Sequence, residues 1–206
     1  MTRPSTESLN DYEVVLAVCG GIAAYKAAAL ASSLVQSGCG VTVCMTANAQ
    51  RFVGPVTFRA LTGRTVFTDA WETTGDADIH HLTLTERADL LIVAPATANI
   101  LGKLAHGIAD ELVSALLLGS DCPILMAPAM NTRMWNHPAT QRNLAFLRDE
   151  AKVQFVGPDE GWLACRTVGS GRMSEPDAIY SAAAKLLKAR PPRRGSAARP
   201  DSDRTP

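Results

Sequence analysis

Four stretches of this chain carry residues that can do chemistry. The first is "CGGIAAYK", where Gly20 and Gly21 separate an apolar run from a helix-like run. Glycine lets the backbone turn sharply and come close to a ligand. A helix opening near Ile22 then aims free N–H groups outward, an arrangement that suits phosphate. The second is a pair of loops that start with proline, "PATANI" at 95–100 and "PAMNTRMW" at 128–135. Their small residues let backbone amides approach a flat ring. Asn131 offers a donor and an acceptor and can bind a carboxylate, although asparagine equally caps helices and fills turns. The third is "DIHHLTLTERADLL", with His80 and His81. A histidine beside a ligand edge is the usual general base; a surface or satisfied core histidine is the bland alternative. The fourth is "GWLACRTVGSGRMSEP" at 161–176, with Cys165, Gly169, Gly171 and Arg172. It reads as a long irregular segment, and such segments are often lids. A lid would carry Cys165 to a bound substrate; an unimportant exposed thiol is the alternative. His106 and His137 have no supporting context.

These residues need a frame. Short unbroken apolar runs lie at Val14–Val18, Val41–Met45, Leu90–Ala94, Ile124–Ala127 and Val153–Val156. Strands covered on both faces read this way. Helix-like segments alternate with them at Ala23–Gln36, Pro55–Leu61, Ile108–Leu118, His137–Arg148 and Ala178–Leu187. The alternation predicts an α/β fold with a doubly wound, mostly parallel sheet in a three-layer α/β/α arrangement. The expected domain runs over 11–189, with a disordered N-terminus at 1–10. A disordered tail at 190–206 is expected from its Pro, Arg, Ser and Asp content. Ligands of such sheets bind beyond the C-terminal strand ends, which is where the glycine pair and both proline-started loops fall.

The nucleotide follows from what is missing. A dinucleotide site prefers G-x-G-x-x-G and an acidic residue about 20 residues later. Here alanines follow Gly21, and the second strand ends at Thr46. A hydroxyl there suits a terminal phosphate, so a mononucleotide such as FMN fits better than NAD.

Composition bounds the rest. The chain has 206 residues, 47% of them hydrophobic, and a formal net charge of +0. It therefore shows no electrostatic footprint for nucleic acid or an anionic membrane. No apolar run approaches the ~20 residues of a membrane span, and "MTRPSTESLNDYE" lacks the apolar core of a signal peptide. The five cysteines show neither C-x-x-C nor zinc spacing. A reduced, cytoplasmic location and no metal site are expected.

"GGIAAYK", "PATAN", "PAMNTRMW" and "ACRTVGSGRM", in this order, resemble the homo-oligomeric flavin-containing cysteine decarboxylases. The likeness covers roughly 14–176 and is nearest to the branch acting on 4'-phosphopantothenoylcysteine in coenzyme A biosynthesis. It implies a Rossmann-like or flavodoxin-like fold and FMN bound between the subunits of a homotrimer, or of an assembly of trimers. By that implication Gly20, Gly21, Ile22, Ala23 and Thr46 hold the phosphate end. Phe52, Ala96, Thr97, Ala98 and Asn99 line the flavin, with Ala129 near it. Asn131, Met134 and Arg172 meet the substrate, and His81 and Cys165 are catalytic. The implied reaction is oxidative decarboxylation of a cysteine, followed by proton donation from Cys165 and return of the electron pair. The product is 4'-phosphopantetheine. Two alternatives carry the same motifs in part: a peptidyl-cysteine oxidative decarboxylase, which has no need of the donor cysteine, and a non-catalytic regulatory flavoprotein. Two positions depart from the family pattern: Cys19 where relatives often carry Ser, and Arg166 where they usually carry Gly.

Overall fold

The computed structural model describes residues 8–70 and 80–193, the side chains of 80–83 excepted. Strand β1 (Glu13–Val18) shows why its run is unbroken. Val14, Leu16 and Val18 enter one buried cluster, and Val15, Ala17 and the following Cys19 enter another. Alternate residues of a strand face opposite sides, so both sides must be apolar. Helix α1 (Ala24–Gln36) crosses back with Ala24, Ala27, Leu30, Ala31 and Leu34 on its buried stripe. Strand β2 (Gly40–Met45) pairs parallel to β1, Val14 opposite Val41. A 3-10 turn at Ala49–Arg51 leads to α2 (Pro55–Thr62), which starts on a proline and ends at Gly63 in the left-handed region.

After β3 (Val66–Phe67) come α3 (His80–Arg87), β4 (Leu90–Ala96) and α4 (Ala98–Ala105). Then follow α5 (Leu112–Gly119), β5 (Ile124–Pro128), the one-turn α6 (Thr132–Trp135) and α7 (Pro138–Asp149). The chain continues through β6 (Gln154–Phe155), β7 (Asp159–Trp162), β8 (Val168–Arg172) and α8 (Pro176–Lys188). Six strands form one parallel sheet in the order β3-β2-β1-β4-β5-β6. That is the Rossmann order, which differs from the flavodoxin one, and its direction reverses between β1 and β4. α1, α2 and α8 bury Leu30, Leu34, Phe58, Ile179 and Leu187 on one face. α4, α5 and α7 bury Ile100, Leu101, Val113, Leu116, Leu144 and Leu147 on the other.

Several expectations change. The helix expected over Ile108–Leu118 starts only at Leu112, and 98–105 forms a helix of its own. The segment expected to be irregular, 161–176, is mostly the antiparallel hairpin of β7 and β8. β8, VGSGR, has no apolar alternation to announce it. The packed structure also passes both expected limits. Leu9 is fully buried and its N–H bonds the Ser37 carbonyl at 2.7 Å. Arg193 pairs with Asp121 at 2.6 Å, and its N–H bonds Asp89. Residues 1–7 and 194–206 lie outside the described residues.

Candidate active site

The point where the strand order reverses is bounded by the residues that follow β1 and β4, Gly20–Gly21 and Thr97–Asn99. Gly20 is required there by contact. A Cβ at this position would lie 2.4 Å from the Asn48 Cβ and 2.7 Å from the Asn48 carbonyl carbon. No side chain caps α1; within the turn the Ala24 N–H bonds the Gly21 carbonyl at 2.9 Å and the Lys26 N–H the Ala23 carbonyl at 3.0 Å. Thr46 is buried and its Oγ1 accepts the Ala49 N–H at 3.2 Å. The hydroxyl proton is still available to donate.

The two proline-started loops are tied to each other and to the hairpin. The Ala129 N–H donates to the Ala96 carbonyl at 3.0 Å. Thr97 caps α4 by accepting the Ile100 N–H. Asn131 Oδ1 accepts the Met134 N–H at 2.9 Å and caps α6. The capping role weighed for Asn131 from sequence is therefore real. It also fixes the amide, leaving the NH₂ end to meet a ligand. The Met130 N–H donates to the Gly171 carbonyl at 3.0 Å, and the Thr132 hydroxyl to the Ser170 carbonyl at 2.8 Å. Gly171 has φ 119°, and a Cβ there would sit 2.2 Å from the Met130 carbonyl oxygen. β8 thus lies flush on the 128–135 loop, held by hydrogen bonds rather than hanging free.

Together these elements enclose a cavity of about 1030 Å³. It is lined by Gly20–Ala23, Thr46, Thr97–Asn99, Ala129, Asn131, Met134, Cys165 and Arg172. Most residues singled out from the sequence meet in one chamber. Phe52 is half exposed and does not line it; Ala96 is fully buried beneath it. His80 and His81 open α3, and their side chains lie outside those described. Cys165 is exposed at the hairpin turn, its Sγ 3.1 Å from Thr167 Oγ1. Cys19 lines the chamber but is buried, and burial first, then the nearby Glu111, pushes its thiol up to about 12. Cys39, Cys44 and Cys122 are buried as well.

The sequence reading missed the charged wall. Lys26 projects from α1 and lines the chamber, its Nζ 3.2 Å from the Met173 carbonyl and 2.9 Å from Glu175 Oε1. Glu175 also pairs with Arg172. The Lys26 ammonium, with Arg172 beside it, holds the Glu175 carboxyl below the usual range. Across the chamber, Lys103 bonds Asp110 at 2.7 Å and Glu111 at 2.8 Å. A single lysine inside the apolar run "AAYKAAAL" was the available signal for Lys26, since an unpaired charge is not buried cheaply. The chamber has the glycine turn and the start of α1, which carries no side-chain cap, at one end. Small residues form a wall in the middle, and a thiol and a guanidinium lie at the hairpin.

Comparison with known proteins places this geometry. The chain is 49% identical over 177 residues to the coenzyme A biosynthesis bifunctional protein CoaBC of Bacillus subtilis, covering 86% of this chain and 43% of that protein. It thus spans less than half the length of the curated relatives it matches, the Bacillus subtilis protein and its Mycolicibacterium smegmatis counterpart among them. A solved PPC decarboxylase mutant complexed with pantothenoylaminoethenethiol superposes with a TM-score of 0.78 at 34% identity, over 86% of this chain and 98% of the other. The FMN binding protein AtHal3 superposes with a TM-score of 0.77 at 33% identity, over 88% and 100%. The Flavoprotein family model matches residues 2–188, and the chain belongs to that family.

Proposed function

We propose that this chain is an FMN-dependent decarboxylase that converts 4'-phosphopantothenoylcysteine to 4'-phosphopantetheine and CO₂ in coenzyme A biosynthesis. One observation carries the proposal: the glycine turn, both proline-started loops and Cys165 line a single chamber at the switch point of the sheet. The residues fit FMN. The Gly20–Gly21 turn and the start of α1, which has no side-chain cap to compete with a phosphate, line the chamber together with Thr46. Ala98 and Ala129 leave a smooth wall. The cavity is at the upper end of the range for ligand sites, roughly 300–1,000 Å³, which leaves room for a substrate beside the flavin.

Bound FMN supplies an acceptor for the electron pair of the substrate thiol and returns that pair after CO₂ has left. The protein supplies the rest. The NH₂ group of Asn131, fixed by its cap, holds the substrate carboxylate, with Met134 and Arg172 on the same wall. His81 accepts the thiol proton. Cys165 returns a proton to the carbon that has lost its carboxylate. Phe52 covers the flavin edge from outside the chamber. The chain works as a homotrimer or an assembly of trimers, in the reducing cytoplasm, which suits five cysteines that are all free. No helix among the described residues is long and apolar enough to cross a membrane.

The test uses the purified protein, its visible spectrum and added 4'-phosphopantothenoylcysteine. A yellow protein releasing CO₂ and 4'-phosphopantetheine is expected. Cys165→Ser should stop at a product two hydrogens short, the enethiol, and His81→Asn should release no CO₂. A yellow protein inert on this substrate but active on a cysteine-ending peptide would move the assignment to peptidyl-cysteine. A protein that cannot retain FMN would end it.

A further inference from the structure

The turn closing the β7–β8 hairpin carries a residue with no part in the reaction as proposed. The Leu163 N–H bonds the Thr167 carbonyl and the Arg166 N–H bonds the Leu163 carbonyl, both at 2.9 Å. Arg166 sits in this turn at φ 62°. Glycine adopts that left-handed conformation freely and other residues avoid it. Such an outlier beside a site points to a use for the side chain. The guanidinium is exposed, and no carboxylate among the described residues pairs with it. The cations in the chamber wall are placed differently. Lys26 and Arg172 share Glu175, and Lys103 is held by two carboxylates. Among the described residues Arg166 is a cation without a carboxylate partner, one residue from Cys165, which lines the chamber.

We infer that Arg166 is a specificity residue that takes the phosphate monoester at the far end of the substrate. This rests on the decarboxylase reading. Such a substrate has two anionic ends. Its carboxylate must leave as neutral CO₂, and a cation held against it would stabilise the ground state more than the transition state. The phosphate keeps its charge throughout. A guanidinium matches it in charge and in two-pronged geometry. The position also fits. Cys165 lines the chamber, and Arg166, the next residue, is exposed and outside the lining. Trp162 and Val168, the cross-strand pair beneath the turn, are 65% and 75% exposed. They offer apolar cover to the alkyl chain that joins the two ends. Arg133, exposed and set in sequence between the chamber residues Asn131 and Met134, is the rival cation.

The experiment compares kcat/KM on 4'-phosphopantothenoylcysteine and on pantothenoylcysteine, which lacks the phosphate. Wild type, Arg166→Gly, Arg166→Lys and Arg133→Ala are measured. Arg166→Gly should lower the preference for the phosphorylated substrate about tenfold, through KM, the scale of one charge-assisted contact. Arg166→Lys should recover part of it. Glycine suits the turn, so the thermal midpoint of Arg166→Gly should hold or rise, which separates lost recognition from lost folding. An unchanged preference overturns the inference, as does a loss that follows Arg133→Ala instead. If wild type decarboxylates neither compound, the decarboxylase reading has failed on its own account. Calorimetry with 4'-phosphopantetheine against pantetheine then decides Arg166 separately. A phosphate preference that disappears in Arg166→Gly supports it, and equal affinities overturn it.

Discussion

The Asn131 side chain accepts the Met134 N–H through Oδ1, which leaves the NH₂ group of this chamber-lining residue as its unused donor end. Cap and chamber-lining group are the same residue, and so are they at Thr46 and Thr97, whose hydroxyls also accept backbone N–H groups. A short polar side chain at the end of a strand has both duties within reach, because the turn it caps is also the rim of the ligand site. The duties separate on substitution. Aspartate caps a helix as well as asparagine does, so Asn131→Asp should keep its thermal midpoint to within roughly 2 °C. It also replaces a donor with a charge facing the substrate carboxylate. Decarboxylation should fall by roughly two orders of magnitude, the scale of losing a bond to a charged group and adding like-charge repulsion. Denaturation curves and CO₂ release on the same preparation check this. A variant that loses stability and activity together would make Asn131 a cap and nothing more.

At the scale of elements, the hairpin is the part the site depends on most. β8 is bonded to the 128–135 loop, and its far end is clasped to α1 by Lys26, Glu175 and Arg172. Glu175 is half exposed, so the clasp is worth less than a buried pair. Lys26 is nearly buried, and without Glu175 it keeps only the Met173 carbonyl. Because the folded-state pKa of Glu175 is depressed, its contribution is present above the usual carboxylate range and is lost as pH falls through that range. Glu175→Gln should melt roughly 2–5 °C below wild type at pH 7, with the gap closing below about pH 4. A gap that persists in acid would mean the charge is not what the glutamate contributes. None of this was legible in the sequence. The parallel strands were, because strands covered on both faces are apolar without interruption. α4 was hidden because "PATANI" was read as a ligand loop, and it is a chamber-lining segment that continues into a helix. The hairpin was hidden because its strands, DEGW and VGSGR, are held by backbone contact and charge, which leave no periodic apolar trace. Most of the site was legible from the types of residue at strand ends. The Lys26 pairing was not, since Lys26 and Glu175 lie 149 positions apart; the Lys103 pairs were not, since they bridge α4 to the turn before α5, and neither α4 nor that turn was placed from the sequence.

For the whole molecule, the chamber has an exposed apolar rim in the single chain. Ile22 and Tyr25 line it and yet are 60% and 61% exposed, and Phe52 and Val56 nearby are 50% and 63% exposed. Apolar side chains clustered in the open at the rim of a site mark a surface that something covers. In the trimer proposed above, a second copy covers it and completes the wall around the flavin. Light scattering should then give about three times the 21.9 kDa chain mass, or a multiple of that. Tyr25→Asp places a charge in the contact and should yield smaller species that lose FMN on gel filtration. Phe146→Asp alters an exposed aromatic on α7, which does not line the chamber, and should change neither mass nor colour. The two readouts must move together. If Tyr25→Asp is monomeric and remains fully yellow, one chain holds the flavin by itself and assembly serves another purpose. If Tyr25→Asp stays trimeric but loses its flavin, Tyr25 acts on the ligand directly and the interface lies elsewhere on the surface.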